Sequence, residues 1–178
     1  MALKKISMMV VALGGMGVST AASADVDKRR ERRRATESGV AEQAAMVIET
    51  IRPAHVEELL RARDFPIERR QGSDGIPYTR FKAAGVNHVV YYYDCDEQQR
   101  CESIQLYSGY VPADKSGMLE KVNEWNRTHR LSRAYVDRAG DPCIETDLHL
   151  QQGVTLGAVD AYISDFLLSV FMFNRFLL

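Results

Sequence analysis

Tyr91-Tyr92-Tyr93-Asp94-Cys95 runs into five polar residues, Asp96 to Arg100, and out again as Cys101-Glu102-Ser103-Ile104-Gln105-Leu106-Tyr107; a loop follows, and then Val122-Asn123-Glu124-Trp125-Asn126. The β-branched and aromatic run from Val86 to Tyr93 predicts a strand buried on at least one face. Glu102 to Tyr110 alternates Ile104 and Leu106 against Ser103, Gln105 and Tyr107, which predicts one covered face and one wet face. From Ser116 to Arg130 the period changes. Met118, Leu119, Val122 and Trp125, with Asn126 beside them, fall on one helical stripe opposite Glu120, Lys121, Glu124 and Arg127, so an amphipathic helix is laid on the sheet.

Working outward, Pro53 suits a first helical turn, and Val56, Leu59 and Leu60 give the stretch His55 to Arg63 a helical apolar face. Phe65 to Arg70 is a short strand candidate, the glycines at 72 and 75 mark a turn, and Ile76 to Lys82 leads into the strand at Val86. On the other side, Leu131 to Arg138 and Cys143 to Leu150 form a strand pair across the turn Ala139 to Pro142. Thr155 caps a closing helix to about Phe173, with Leu156, Val159, Ile163, Phe166, Leu167 and Val170 on its apolar side. Val40 to Glu49 fits either a short helix or an entering strand. The order α-β-β-β-α-β-β-α predicts an α+β domain, an antiparallel sheet of about five strands with helices packed on it.

Taken together, the tyrosine strand, the two cysteines and the Val-Asn-x-Trp-Asn helix resemble the YbjN family of bacterial proteins, most strongly over residues 91–126 and 131–159 and in all from about 45 to 173. The resemblance implies the small fold of type III secretion chaperones and a role of the kind labelled sensory transduction regulator, in regulation or envelope stress. Fold likeness of this sort transfers no activity. The basic segment before residue 45 and the apolar tail fall outside the pattern.

A chain of 178 residues with 46% hydrophobic content supports one domain of ordinary size. Lys4 and Lys5 precede an apolar run from Ile6 to Val18, and Ala22-Ser23-Ala24 supplies the small-x-small pattern of a cleaved leader. The run is shorter than the roughly 20 apolar residues a spanning helix needs. The expected division is therefore a signal peptide over 1–24, a basic disordered arm over 25–44 and the α+β domain over 45–178, in a periplasmic or secreted protein. Lys28, Arg29, Arg30, Arg32, Arg33 and Arg34 argue the other way, because basic residues flanking an apolar run are held on the cytoplasmic side. A charge-rich arm poor in apolar residues is simply solvated, or it touches a polyanion.

In an oxidising compartment Cys95 and Cys101 are placed to form a cross-hairpin disulfide; a redox switch and a metal site are the rivals. Cys143 is left over and reads as a small buried hydrophobe or an exposed thiol. His55, His88, His129 and His149 lie on separate elements without a metal-ligand spacing. Glu145, Asp147 and His149 alternate along one strand and share a face, either as an acid/base, ligand-binding or metal-binding set or as an ordinary solvated face. Asn123 and Asn126 flank Trp125 as a motif that either offers amides to a ligand or satisfies backbone groups inside the fold. The surplus of apolar side chains from Phe166 to Leu178, with Phe166, Val170, Phe171 and Phe173 foremost, predicts an interface.

No nucleophile elbow, phosphate loop or dinucleotide fingerprint is present outside the leader. The expectation is thus a non-catalytic, exported protein- or peptide-binding domain or homodimer, with no cofactor, no metal, no nucleic acid and no membrane span once the leader is removed. A small-molecule or metal-binding protein or enzyme built on Glu145, Asp147 and His149 is the alternative.

Overall fold

The structure, a computed structural model, describes residues 20–73 and 75–178. Residues 1–19 of the expected leader lie outside the described residues. The chain divides into two units, Met1–Ala41 and Glu42–Leu178.

The described chain of the first unit is helical and belongs to α1, which runs from Thr20 to Ala45 and so ends four residues past the unit boundary. The expected disordered arm over 25–44 is here a helix. Composition explains both the expectation and the difference. A segment this poor in apolar residues cannot build a core, but Ala, Arg, Glu and Lys are among the residues that lose least on entering a helix. Arg33 Nε donates to Glu37 Oε1 one turn on at 2.9 Å, and Thr36 Oγ1 donates to the Arg32 carbonyl at 2.9 Å.

The second unit holds α2 (Pro53–Arg61), α3 (Met118–Thr128), α4 (Leu156–Leu177) and eight strands: β1 (Val47–Ile48), β2 (Ile67–Gln71), β3 (Pro77–Ala83), β4 (Val86–Cys95), β5 (Cys101–Gly109), β6 (Arg133–Val136), β7 (Pro142–His149) and β8 (Val154–Thr155). Six of them make one antiparallel sheet in the order β2-β3-β4-β5-β7-β6; β1 and β8 pair separately. The α+β class stands, with one strand more than the expected five in the main sheet and a two-stranded ribbon that strands of two residues are too short to announce.

Alternate residues of the strands point to a single helix-covered core. Phe81, Val90, Tyr92, Ile104, Leu106 and Ile144 meet Val56 and Leu60 of α2, Val122 and Trp125 of α3, and Val159, Ile163, Phe166 and Phe173 of α4. α4 is long and apolar enough to cross a membrane by length and composition, yet Leu156, Val159, Ile163, Phe166, Val170 and Phe173 are spent on this core. Thr155 caps it, its hydroxyl accepting the Ala158 N–H at 3.0 Å. Arg63 ties α4 to the end of α2, reaching Asp160 Oδ1 at 2.7 Å and the Asp160 carbonyl at 2.8 Å.

Two expectations on the helices need correction. Leu119 is 60% exposed, because Met118, Val122 and Trp125 already fill the i, i+4, i+7 line that meets the sheet. Phe166, Val170 and Phe173 are buried at 1%, 5% and 0%, so three of the four residues expected at an interface are core. The reason is α3, which packs beside α4 and covers a second side of it: the Trp125 ring lies 5.0 Å from Phe173 and 5.7 Å from Phe176.

Candidate functional site

The opposite face of the sheet carries no helix of the second unit. Strand register brings one row of residues across it as Arg80, Val89, Tyr107, Glu145 and Arg133, and a neighbouring row as Tyr78, Tyr91, Gln105 and Asp147. Tyr93, Ser103 and His149 follow in the next row, and Cys143 stands opposite Tyr135 and Gly109. Five tyrosines, at 78, 91, 93, 107 and 135, therefore share one face. Tyr91 stands at its centre, its ring 6.0 Å from that of Tyr78 and 6.1 Å from that of Tyr107.

Between the rings runs a chain of polar contacts. Tyr93 Oη donates to Gln105 Oε1 at 3.2 Å, and Gln105 Nε2 donates to Asp147 Oδ1 at 2.9 Å. Arg133 Nε donates to Glu145 Oε1 at 2.5 Å, and its Nη2 lies 3.8 Å from Asp147 Oδ2. Glu145 thus holds the Arg133 guanidinium above its ordinary pKa. Glu145, Asp147 and His149 do share a face as the alternation predicts, but the two carboxylates are occupied by Arg133 and Gln105. Among the described residues no three His, Cys, Asp or Glu side chains gather to hold a metal ion.

Tyr107 folds back along its strand so that its hydroxyl lies 3.1 Å from Cys143 Sγ. Gly109 makes that possible, since a Cβ there would stand 2.6 Å from the Tyr107 hydroxyl. Cys143 is unpaired and 1% exposed. Burial pushes its thiol pKa up, against the Tyr107 hydrogen bond, so the sulfur stays protonated and is a poor nucleophile. Burial raises Tyr107 as well, reinforced by Cys143, and raises Tyr135 to about 12 with help from Glu145. On this face the phenols of Tyr107 and Tyr135 stay protonated, and the carboxylates of Glu145 and Asp147 are engaged by Arg133 and Gln105.

Cys95 and Cys101 are bonded as a disulfide with Cα atoms 3.9 Å apart, directly opposite in the β4–β5 ladder. The backbone of Cys101 also exchanges two 2.9 Å hydrogen bonds with Ile51, so the hairpin tip anchors the chain entering α2. Asp96 shapes the turn by accepting the Gln98 and Arg100 N–H groups, each at 2.9 Å.

In the α3 motif the residues part company. Asn126 lies beside edge strand β6: its Oδ1 accepts the Ala134 N–H at 2.8 Å and its Nδ2 donates to the Ala134 carbonyl at 2.9 Å. Its amide stands where a further strand would pair and closes that edge. Trp125 is buried, stacks on His129 at 3.7 Å and donates from Nε1 to Ser132 Oγ at 3.3 Å. Asn123 is exposed on the outer side of the helix.

Phe171, the one exposed member of the predicted α4 interface, stands at the mouth of a mostly apolar cavity of about 440 Å³ shared with Phe65, Val86 and Leu167. His88 lines it from the buried side. Its Nδ1 is 2.5 Å from Ser108 Oγ, and burial lowers its pKa to about 4.

The tyrosine face as a unit is what inspection of the sequence misses. Its parts are visible, Tyr91 and Tyr93 on either side of Tyr92, and Gln105 and Tyr107 on the wet side of β5. Only register places them in adjacent rows and adds Tyr78, Tyr135 and Arg133.

These features define an α+β domain with a dry, helix-covered face and an open aromatic face. A family model described as YbjN, putative bacterial sensory transduction regulator, matches residues 52–177, and the chain belongs to that family. The match begins at the entry to α2 and takes in the whole six-stranded sheet with α3 and α4. No curated protein matches the chain.

Proposed function

We propose that this protein is an exported, non-catalytic regulatory domain that binds a protein or peptide segment on the open face of its sheet. The observation that carries this reading is the cluster of neighbouring tyrosines Tyr78, Tyr91 and Tyr107, flanked by Tyr93 and Tyr135 and floored by paired polar groups. Tyrosine offers a large rigid ring at low conformational cost and a hydroxyl that accepts or donates, which is why it is enriched where proteins meet. Gln105, Glu145 and Asp147 are held by Tyr93 and Arg133 before anything binds, so the floor need not reorganise. Membership in a family described as a regulator supports a binding role, and the Cys95–Cys101 disulfide fits an oxidising compartment.

The test is a pull-down of the protein from envelope extract, with and without reductant, in parallel with the variant Tyr78→Ala/Tyr91→Ala. A partner captured by the native protein and lost at least tenfold in the variant supports the reading. Equal capture by both, with the variant folded by circular dichroism, moves binding off this face.

A further inference from the structure

The helix preceding the family domain has a charge pattern with its own consequence. Between Lys28 and Arg34 it carries Lys28, Arg29, Arg30, Arg32, Arg33 and Arg34 against the single acid Glu31. At 1.5 Å per residue these charges fit within about 10 Å of axis. Side chains from Asp25 to Gly39 are exposed throughout. Of the six basic residues, Arg33 is the one in an ion pair among the described residues, with Glu37 at 2.9 Å. The basic residues also spread around the axis, since Lys28, Arg29 and Arg30 stand about 100° apart in turn. The only apolar side chain in the stretch from Asp25 to Arg34 is Val26, so no apolar face exists to enter a lipid core.

We propose that the Lys28–Arg34 segment of α1 docks on the anionic phosphate headgroups of a phospholipid surface. A dense basic cluster is attracted to such a surface, at about fivefold in affinity for each basic residue brought near it. Attachment is electrostatic and confined to the headgroup layer, because the helix has nothing to insert. Nucleic acid carries the same phosphate chemistry, but α1 contains no Phe, Tyr or Trp to stack on a base. The apolar run from Ile6 to Val18, close upstream, would direct the segment towards a membrane.

The test uses the full chain and cosedimentation with vesicles of pure phosphatidylcholine or of phosphatidylcholine mixed with phosphatidylglycerol. Binding is expected to the mixed vesicles, to fall steeply as salt rises from about 0.1 to 1 M, and to weaken by roughly several hundredfold in Arg29→Gln/Arg30→Gln/Arg33→Gln/Arg34→Gln. Replacing the same four arginines with lysine keeps the charge and is expected to keep the binding. Equal binding to neutral vesicles, or a glutamine variant that binds the mixed vesicles like the native chain, overturns the proposal. So does tighter binding to a single-stranded or duplex oligonucleotide than to the mixed vesicles at equal salt.

Discussion

The two faces of the six-stranded sheet are made by alternate residues of the same strands, and both contain buried polar groups, yet they satisfy them differently. Under the helices, Glu57 accepts from Arg69 Nε at 2.6 Å, from Arg61 at 3.1 Å and from Thr79 at 3.2 Å, and Thr79 is joined to the Tyr92 hydroxyl at 2.9 Å. Burial pushes the Glu57 carboxyl upward, and these donors, Arg69 foremost, outweigh it and hold the pKa below its ordinary value. His88 and Ser108 form a second closed pair. On the open face the polar chain from Tyr93 to Arg133 ends at the solvent, with Tyr93 42% exposed. A closed network specifies packing, whereas a network that reaches water can exchange water for a partner.

By that contrast the faces answer differently to truncation. The largest effect is expected from Phe166→Ala in the dry core, about 3–5 kcal/mol lost in urea unfolding from the emptied volume. A loss under about 1 kcal/mol would mean that α4 is less firmly packed than its burial implies.

His88 gives the next effect, and its sign follows from linkage. The imidazole binds a proton near 6.5 when unfolded and at about 4 when folded. Its contribution is therefore complete above about pH 6.5 and is lost as pH falls towards 4, on the order of 3 kcal/mol in all. Unfolding measured across that range should show the decline, and His88→Leu/Ser108→Ala, which removes both partners, should flatten it. An unchanged slope in the double variant would place the acid sensitivity elsewhere.

Reduction of Cys95–Cys101 ranks third. Its loop is short, so the chain-entropy model gives about 2 kcal/mol, and Cys95→Ser/Cys101→Ser should match the reduced protein in unfolding free energy. Hydrogen exchange should quicken at Ile51 and Cys101, whose backbones are paired with each other.

The smallest effect is expected on the open face. Tyr91→Ala removes one side of two ring contacts on a half-exposed surface and should cost about 1 kcal/mol or less. A cost comparable to Phe166→Ala would show that the tyrosines hold the fold together, and the contrast between the faces would fail.

Most elements were legible because their periods are unmistakable. β4 is β-branched and aromatic, β5 alternates, and α3 switches to a helical stripe, so the antiparallel α+β class followed. Asn126 and Phe173 show the limit. Asn126 reads as a weak helix residue, and nothing in its neighbourhood says that its amide meets Ala134 across the loop. Phe173 belongs to an apolar surplus that looks exposed until Trp125 is placed against it. The basic segment fails in the other direction, for poor burial says nothing about whether a solvated helix forms.

The amino-acid sequence by itself determined most elements of the family domain, the cysteine pair in the hairpin and the family, since each rests on local spacing along the chain. Only the tertiary structure decided which apolar side chains of α4 are core, which strand edge Asn126 closes and that five tyrosines share one open face. Those outcomes depend on strand register and helix placement, where a shift of one residue moves every side chain to the opposite face.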